Sequence, residues 1–104
     1  MANLTQFEWT EKLAKDKNAV ILDVRTLAEL QEGIIPNAIH LDIFMGKEFI
    51  DELNRLDKKK DYYVYCRSGN RSGQACSIME QMGFQNAYNL SGGMLEWQGE
   101  VVAP

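Results

Sequence analysis

Apolar residues along the chain fall into two spacings, near-continuous short runs and stripes three or four residues apart, and their alternation predicts strands interleaved with helices. Thr5-Gln6-Phe7-Glu8 has the form of a capping box and predicts a helix to about Lys15, with Phe7, Leu13 and Ala14 supplying its buried face. Ala19 to Val24 is nearly continuous and partly β-branched, the pattern of a strand covered on both faces of a parallel sheet. A second capping box, Thr26-Leu27-Ala28-Glu29, opens a helix that must be short, because Gly33 offers a stop and Pro36 prevents continuation. Ala38 to Leu41 predicts the next strand, and Phe49, Ile50, Leu53 and Leu56 mark the inward stripe of a helix from about Lys47. Tyr62 to Tyr65 is a strand signal that runs directly into Cys66. From about Arg71 a helical stripe of Ala75, Ile78, Met79 and Met82 resumes, with Gly83 as its C-terminal stop. Ala87 to Leu90 is a fourth strand, Gly92-Gly93 a turn, and Met94, Leu95 and Trp97 a last short helix. Strand and helix in alternation give an α/β fold.

Length and composition narrow the picture. The 104 residues, 45% of them hydrophobic, suit one domain spanning 1–104, and no repeat, low-complexity stretch or Pro/Gly/Ser-rich linker divides them. A formal charge of −4 lacks the basic footprint of a nucleic-acid or anionic-membrane partner, and the run Lys58-Lys59-Lys60 lies between Asp57 and Asp61 as a solvated turn. Charges interrupt the apolar residues of the first fifteen positions, and no segment approaches the ~20 apolar residues of a membrane span, so a soluble, cytoplasmic protein is expected. Two cysteines are too few for a disulfide framework, which directs attention to reactivity or packing.

Chemistry concentrates in Cys66-Arg67-Ser68-Gly69-Asn70-Arg71-Ser72. Cys66 sits at the carboxyl end of a strand and just before a helix, where unpaired N–H groups and the helix dipole favour anions and acidify a thiol. Gly69 and Asn70 tolerate positive φ and let the loop curl its N–H groups inward. Arg67 and Arg71 add positive charge, and Ser68 and Ser72 add hydroxyl donors. A buried structural cysteine beside surface arginines is the plain alternative; the clustering of all these residues favours a reactive thiolate. Cys76, ten residues further on and roughly 15 Å away at the helical rise, is too far for a disulfide and is expected to be a small core residue. His40 falls within a predicted strand and is expected to be structural.

Several motifs in order resemble the rhodanese-like sulfurtransferases: Leu22-Asp23-Val24-Arg25 followed by Glu29, Gly33-Ile34-Ile35-Pro36-Asn37-Ala38, the Cys66 to Ser72 loop, Gly83-Phe84, and Leu90-Ser91-Gly92-Gly93 with Trp97. The resemblance implies a three-layer α/β domain whose mainly parallel sheet of four to five strands is flanked by helices. It implies that Cys66 takes a sulfane sulfur from a small anionic donor such as thiosulfate, holds it as a persulfide cradled by residues 67–72, and passes it to cyanide, a thiol or a sulfur-relay protein. No separate general base is then needed, since the nucleophile is already a thiolate, and no cofactor or metal is expected. Asp23 and Arg25 are expected to form a structural ion pair, Glu29 a helix cap, and Trp97 part of the core. The chain departs from the family pattern at Ile34, where histidine is common, and at Asn37, where glycine is common.

Two rivals stand beside this reading. Cysteine phosphatases and arsenate reductases wrap an oxyanion in a Cys-x5-Arg loop, whereas four residues separate Cys66 from Arg71 here, a smaller cradle suited to one sulfur atom. A regulatory or sulfur-carrying module with the same fold would bind a protein partner; such modules often lack the cysteine that this chain retains.

Overall fold

Two adjacent strands of alternating, strongly apolar residues organise the molecule. In the computed structural model, which describes residues 2–104, β2 (Ala19–Asp23) pairs in parallel with β4 (Asp61–Tyr65), Leu22 opposite Val64. Met1, the first residue of the expected domain, lies outside the described residues. Because successive strand residues point to opposite faces, Val20, Leu22, Val24, Tyr62, Val64 and Cys66 share one apolar cluster while Ala19, Ile21, Tyr63 and Tyr65 share the other. The first cluster is completed by Phe49 and Leu53 of α2 (Lys47–Asn54) and by Ala75, Cys76 and Met79 of α3 (Asn70–Gln81). The second is completed by Trp9 and Leu13 of α1 (Gln6–Lys15), Met94 of α4 (Gly93–Glu96), and Trp97. Helices therefore cover both faces, giving the three layers expected.

With β1 (Ala2–Leu4), β3 (Ile39–His40) and β5 (Asn86–Leu90), the sheet has the order β1-β5-β4-β2-β3, all pairs parallel. β4 is the middle strand, so the cysteine after it emerges at the centre of the sheet's carboxyl edge. No helix among the described residues is long and apolar enough to cross a membrane.

Several expectations shift. β1 has no counterpart in the predicted elements; it is three residues long and gains its place only by pairing with β5, Leu4 opposite Leu90. The buried face of α1 is set by Trp9, 0% exposed, while Phe7 is 72% exposed and Ala14 is also on the surface. Phe7 and Trp9 are two residues apart and so lie on opposite sides of a helix, and only the Trp9–Leu13 stripe meets the sheet. The Thr26–Glu29 box does form, through Thr26 N–H to Glu29 Oε1 at 3.0 Å and Glu29 N–H to Thr26 Oγ1 at 3.3 Å. It opens a single 3-10 stretch, Glu29–Glu32, stopped at Gly33. A second 3-10 turn, Ile43–Met45, lies outside the predicted elements. α3 starts at Asn70 rather than Arg71. Asn37 adopts φ 70, the left-handed conformation that makes it an acceptable stand-in for glycine. Ile34, at the other departure, pairs with Val102 through two N–H···O bonds of 2.9 Å.

Trp9 packs edge-on against Tyr63, Tyr65 and Trp97 at centroid distances of 5.7, 6.4 and 5.8 Å. Trp9→Ala is therefore expected to lower unfolding free energy by about 3–5 kcal/mol, whereas Phe7→Ala should stay within about 0.5 kcal/mol of the parent. Urea denaturation of the two variants checks this, and equal losses would contradict the assignment of the buried face.

Candidate active site: the cysteine loop

The end of β4 and the start of α3 are joined by only four residues, 66–69, and this short connection makes the site. Gly69 turns the chain at φ 102, a left-handed conformation open to glycine, and a Cβ there would press on Leu90 O at 3.3 Å and Gly92 N at 3.4 Å. The turn aims Gly69 N–H at Cys66 Sγ, 3.1 Å away, while the first turn of α3 brings Ser72 N–H to 3.4 Å and Ser72 Oγ to 3.3 Å. Cys66 itself is 0% exposed. Asn70, expected to share the left-handed turn with Gly69, instead begins the helix; Asn37 is the positive-φ non-glycine residue among those described.

Beneath the loop, Met94 N–H donates to Cys66 O and Leu95 N–H to Arg67 O, both at 3.0 Å. The contact is close because position 93 has no side chain: a Cβ on Gly93, which sits at φ 54, would lie 2.5 Å from both carbonyl oxygens. Gly92-Gly93 is thus more than the turn expected from sequence; it is the floor of the cysteine loop.

Burial by itself pushes the Cys66 thiol up. The Ser72 hydroxyl and the N–H groups of Ser72, Gly69 and Ser68 outweigh that cost and leave the thiol below its ordinary value. No such donor to Cys76 is found among the described residues, and burial pushes it up to about 12. Both cysteines are free and belong to the same apolar cluster. The expected separation of roughly 15 Å applied the helical rise to residues 66–69, which are not helical. Burial and a tightly held proton, rather than distance, are the observations that go with a packing role for Cys76.

The expected arginine contribution changes most. Arg71 makes no hydrogen bond to the sulfur but grips Glu29 with both terminal nitrogens, at 2.6 and 2.7 Å, and lies over the Phe44 ring at 5.3 Å, its charge reaching Cys66 only through space. Arg71 holds the Glu29 carboxyl down to about 2. Glu29 is therefore both the cap expected at Thr26 and the anchor that ties the turn after β2 to α3. Arg67, Ser68 and Asn70 lie around the loop, all three towards solvent, with Asn70 N–H donating to Ser68 Oγ at 3.4 Å.

Asp23 and Arg25 form the buried pair expected, at 2.8 Å, and Arg25 also donates to Gly33 O at 2.8 Å and Glu29 O at 3.3 Å. His40 contacts Arg25 O through Nε2 at 2.6 Å, a structural role away from the sulfur. One neighbour of the site has no sequence signal at all. Asn89, buried on β5, accepts from Ser72 Oγ and donates to Asn3 Oδ1 at 2.9 Å and Gly69 O at 3.0 Å. Among the described residues no three His, Cys, Asp or Glu side chains gather as they would around a metal ion.

The model of the rhodanese-like domain matches residues 6–100. The chain belongs to the rhodanese-like family. Within that family it is 35% identical over 98 residues to a sulfurtransferase of Allochromatium vinosum, covering 91% of this chain and 89% of that one. The crystal structure of a rhodanese-like domain protein from Staphylococcus aureus superposes with a TM-score of 0.85 at 34% identity, covering 100% of this chain and 99% of that one. The rhodanese-like segment also occurs inside larger proteins: a tRNA uridine(34) hydroxylase of Pelagibacter ubique is 35% identical over 83% of this chain but only 29% of its own length.

In this rhodanese-like site Gly93→Ala combines an unfavourable φ with a clash against two carbonyls. It should cost about 2–4 kcal/mol of stability and raise the pH at which Cys66 reacts with an alkylating reagent. An unchanged alkylation profile would show that the floor does not hold the loop. Because Glu29 is depressed in the folded state, its pairing with Arg71 contributes stability above the ordinary carboxylate value, 4.5, and loses it as pH falls from there toward about 2. The stability difference between the parent and Glu29→Gln should therefore be full at neutral pH and shrink in acid, as read by urea unfolding at several pH values; a pH-independent difference would contradict the pairing.

Proposed function

We propose that this protein is a sulfurtransferase in which Cys66 carries a sulfane sulfur between a small anionic donor, such as thiosulfate, and a thiophilic acceptor. The observation that carries the reading is a fully buried sulfur met by three hydrogen-bond donors within 3.4 Å. Membership of the rhodanese-like family supports sulfur transfer as the general chemistry. In the proposed cycle the Cys66 thiolate attacks the outer sulfur of thiosulfate, the sulfur–sulfur bond of the donor breaks, and sulfite leaves with the bonding pair. The charge then sits on the outer sulfur of Cys-S-S⁻, cradled by residues 67–72. Cyanide or a thiolate attacks that outer sulfur, and the Cys66 thiolate departs as the leaving group. Neither step transfers a proton, so a site whose only histidine lies elsewhere is chemically sufficient.

The disposition of Arg71 argues against phosphoryl or arsenate chemistry. An oxyanion cradle uses its arginine on the bound anion, and here both terminal nitrogens are engaged by Glu29. A carrier role, in which a protein accepts the sulfur, is favoured by apolar side chains flanking the loop: Phe44, 68% exposed over Arg71, and Leu95, 63% exposed beside Arg67. The tRNA hydroxylase relative shares this segment as under a third of its length, so its name supports the domain and not that reaction here.

Incubation with thiosulfate is expected to add one sulfur atom to Cys66, visible by intact-protein mass spectrometry and removed by cyanide. Cys66→Ser should abolish the adduct, and Cys76→Ala should keep it. An unmodified Cys66, or equal losses in the two variants, would overturn the assignment.

A further inference from the structure

Ser72 has one hydroxyl proton and two acceptors within reach. Its Oγ lies 3.3 Å from Cys66 Sγ and within hydrogen-bond distance of Asn89 Oδ1. The identity of the Asn89 atom facing Ser72 is fixed by its other partners. Gly69 O, a backbone carbonyl, can only accept, so the atom 3.0 Å from it is the amide nitrogen, and the carbonyl oxygen must face Ser72. Asn3 Oδ1, at 2.9 Å from the same nitrogen, holds the amide from the far side. Asn89 is buried, so water does not supply its oxygen with a substitute donor.

We infer that Asn89 is a positioning residue that competes with the Cys66 sulfur for the Ser72 hydroxyl proton. When Cys66 is a thiol, the Ser72 proton lies on Asn89 Oδ1 and Ser72 Oγ accepts from the S–H. When Cys66 ionises, its proton leaves to solvent and the hydroxyl turns to donate to the thiolate, which strips a buried carbonyl of its donor. Asn89 thereby moderates the acidity that the loop confers. When the outer sulfur is added, negative charge moves off Sγ and the hydroxyl returns to Asn89, so the network favours the loaded cysteine over the empty thiolate. This last step rests on the proposed sulfur transfer; the competition for the proton does not.

The charged and titratable groups facing Cys66 leave this device in place. Arg71 of α3 is paired with Glu29 from the turn after β2, Cys76 of α3 keeps its proton through burial, Arg67 is an exposed neighbour in the chain, and Asn89 and Asn3 carry no charge.

A thermodynamic cycle separates this role from simple anchoring of the loop through Gly69 O. The pH profile of Cys66 alkylation by iodoacetamide is measured on the full chain for the parent, Ser72→Ala, Asn89→Ala and the double variant, with the modified peptide read by mass spectrometry. At a pH below the parent midpoint, Asn89→Ala should raise the rate roughly three- to tenfold more when Ser72 is present than in the Ser72→Ala background. Equal effects in both backgrounds, or an effect of opposite sign, would overturn the assignment. A second readout needs no Asn89 variant. The Asn89 side-chain carbonyl carbon resonance in the parent should titrate with the Cys66 midpoint, with a smaller excursion in Ser72→Ala; a resonance indifferent to pH would also overturn it. After thiosulfate loading that resonance should return to its thiol position. Absence of a sulfur adduct would sink the sulfurtransferase reading, while the alkylation cycle still decides the role of Asn89.

Discussion

A sulfur anion buried away from water has to be solvated by the protein, and the arrangement around Cys66 is organised by that requirement. Burial alone raises the thiol, and the opposing effect comes from Gly69, Ser72 and Ser68, within six residues of the sulfur. Such donors work only if they are held in place before the charge appears. That explains why the cysteine comes directly after the middle strand of the sheet, why α3 begins after a four-residue turn, and why α4 packs its first N–H groups against the carbonyls of residues 66 and 67.

The surrounding polar pairs fix the frame in which those donors sit. Asp23 and Arg25 are both nearly inaccessible, and Arg25 reaches on to Gly33 and Glu29, so the turn after β2 is bound to the sheet's carboxyl edge. Glu29 then takes hold of Arg71. Removing one member of a buried pair leaves the other charge uncompensated, at a cost of about 3–5 kcal/mol. The pairs therefore rigidify the site even though neither touches the sulfur. The Arg71 charge is shared with Glu29, and the N–H and O–H donors of Ser72, Gly69 and Ser68 are the leading contributions that stabilise the thiolate.

Local patterns make most of this visible in the sequence. The two capping boxes, the covered strand at residues 19–24 and the strand leading into Cys66 arise from side-chain spacing and hydrogen-bonding capacity, and each is present. The cysteine loop is legible because its residues are contiguous. The hidden features depend on contacts between distant segments. β1 exists through its pairing with β5, the second partner of Glu29 is 42 residues away, and Asn89 meets Ser72 only because β5 lies beside β4. Trp9 outranks Phe7 for the same reason, since either side of α1 could have faced inward until the sheet chose. Gly93 looks like any turn glycine, and only the carbonyls above it reveal why a side chain is excluded.

Whether the loop's own donors hold Cys66 as a thiolate can be read from ultraviolet titration of thiolate absorbance in Cys76→Ala, which leaves Cys66 as the single thiol. One transition clearly below the ordinary thiol value is expected. A transition at or above that value would mean that burial outweighs the Gly69 and Ser72 donors, and that the loop does not stabilise the anion.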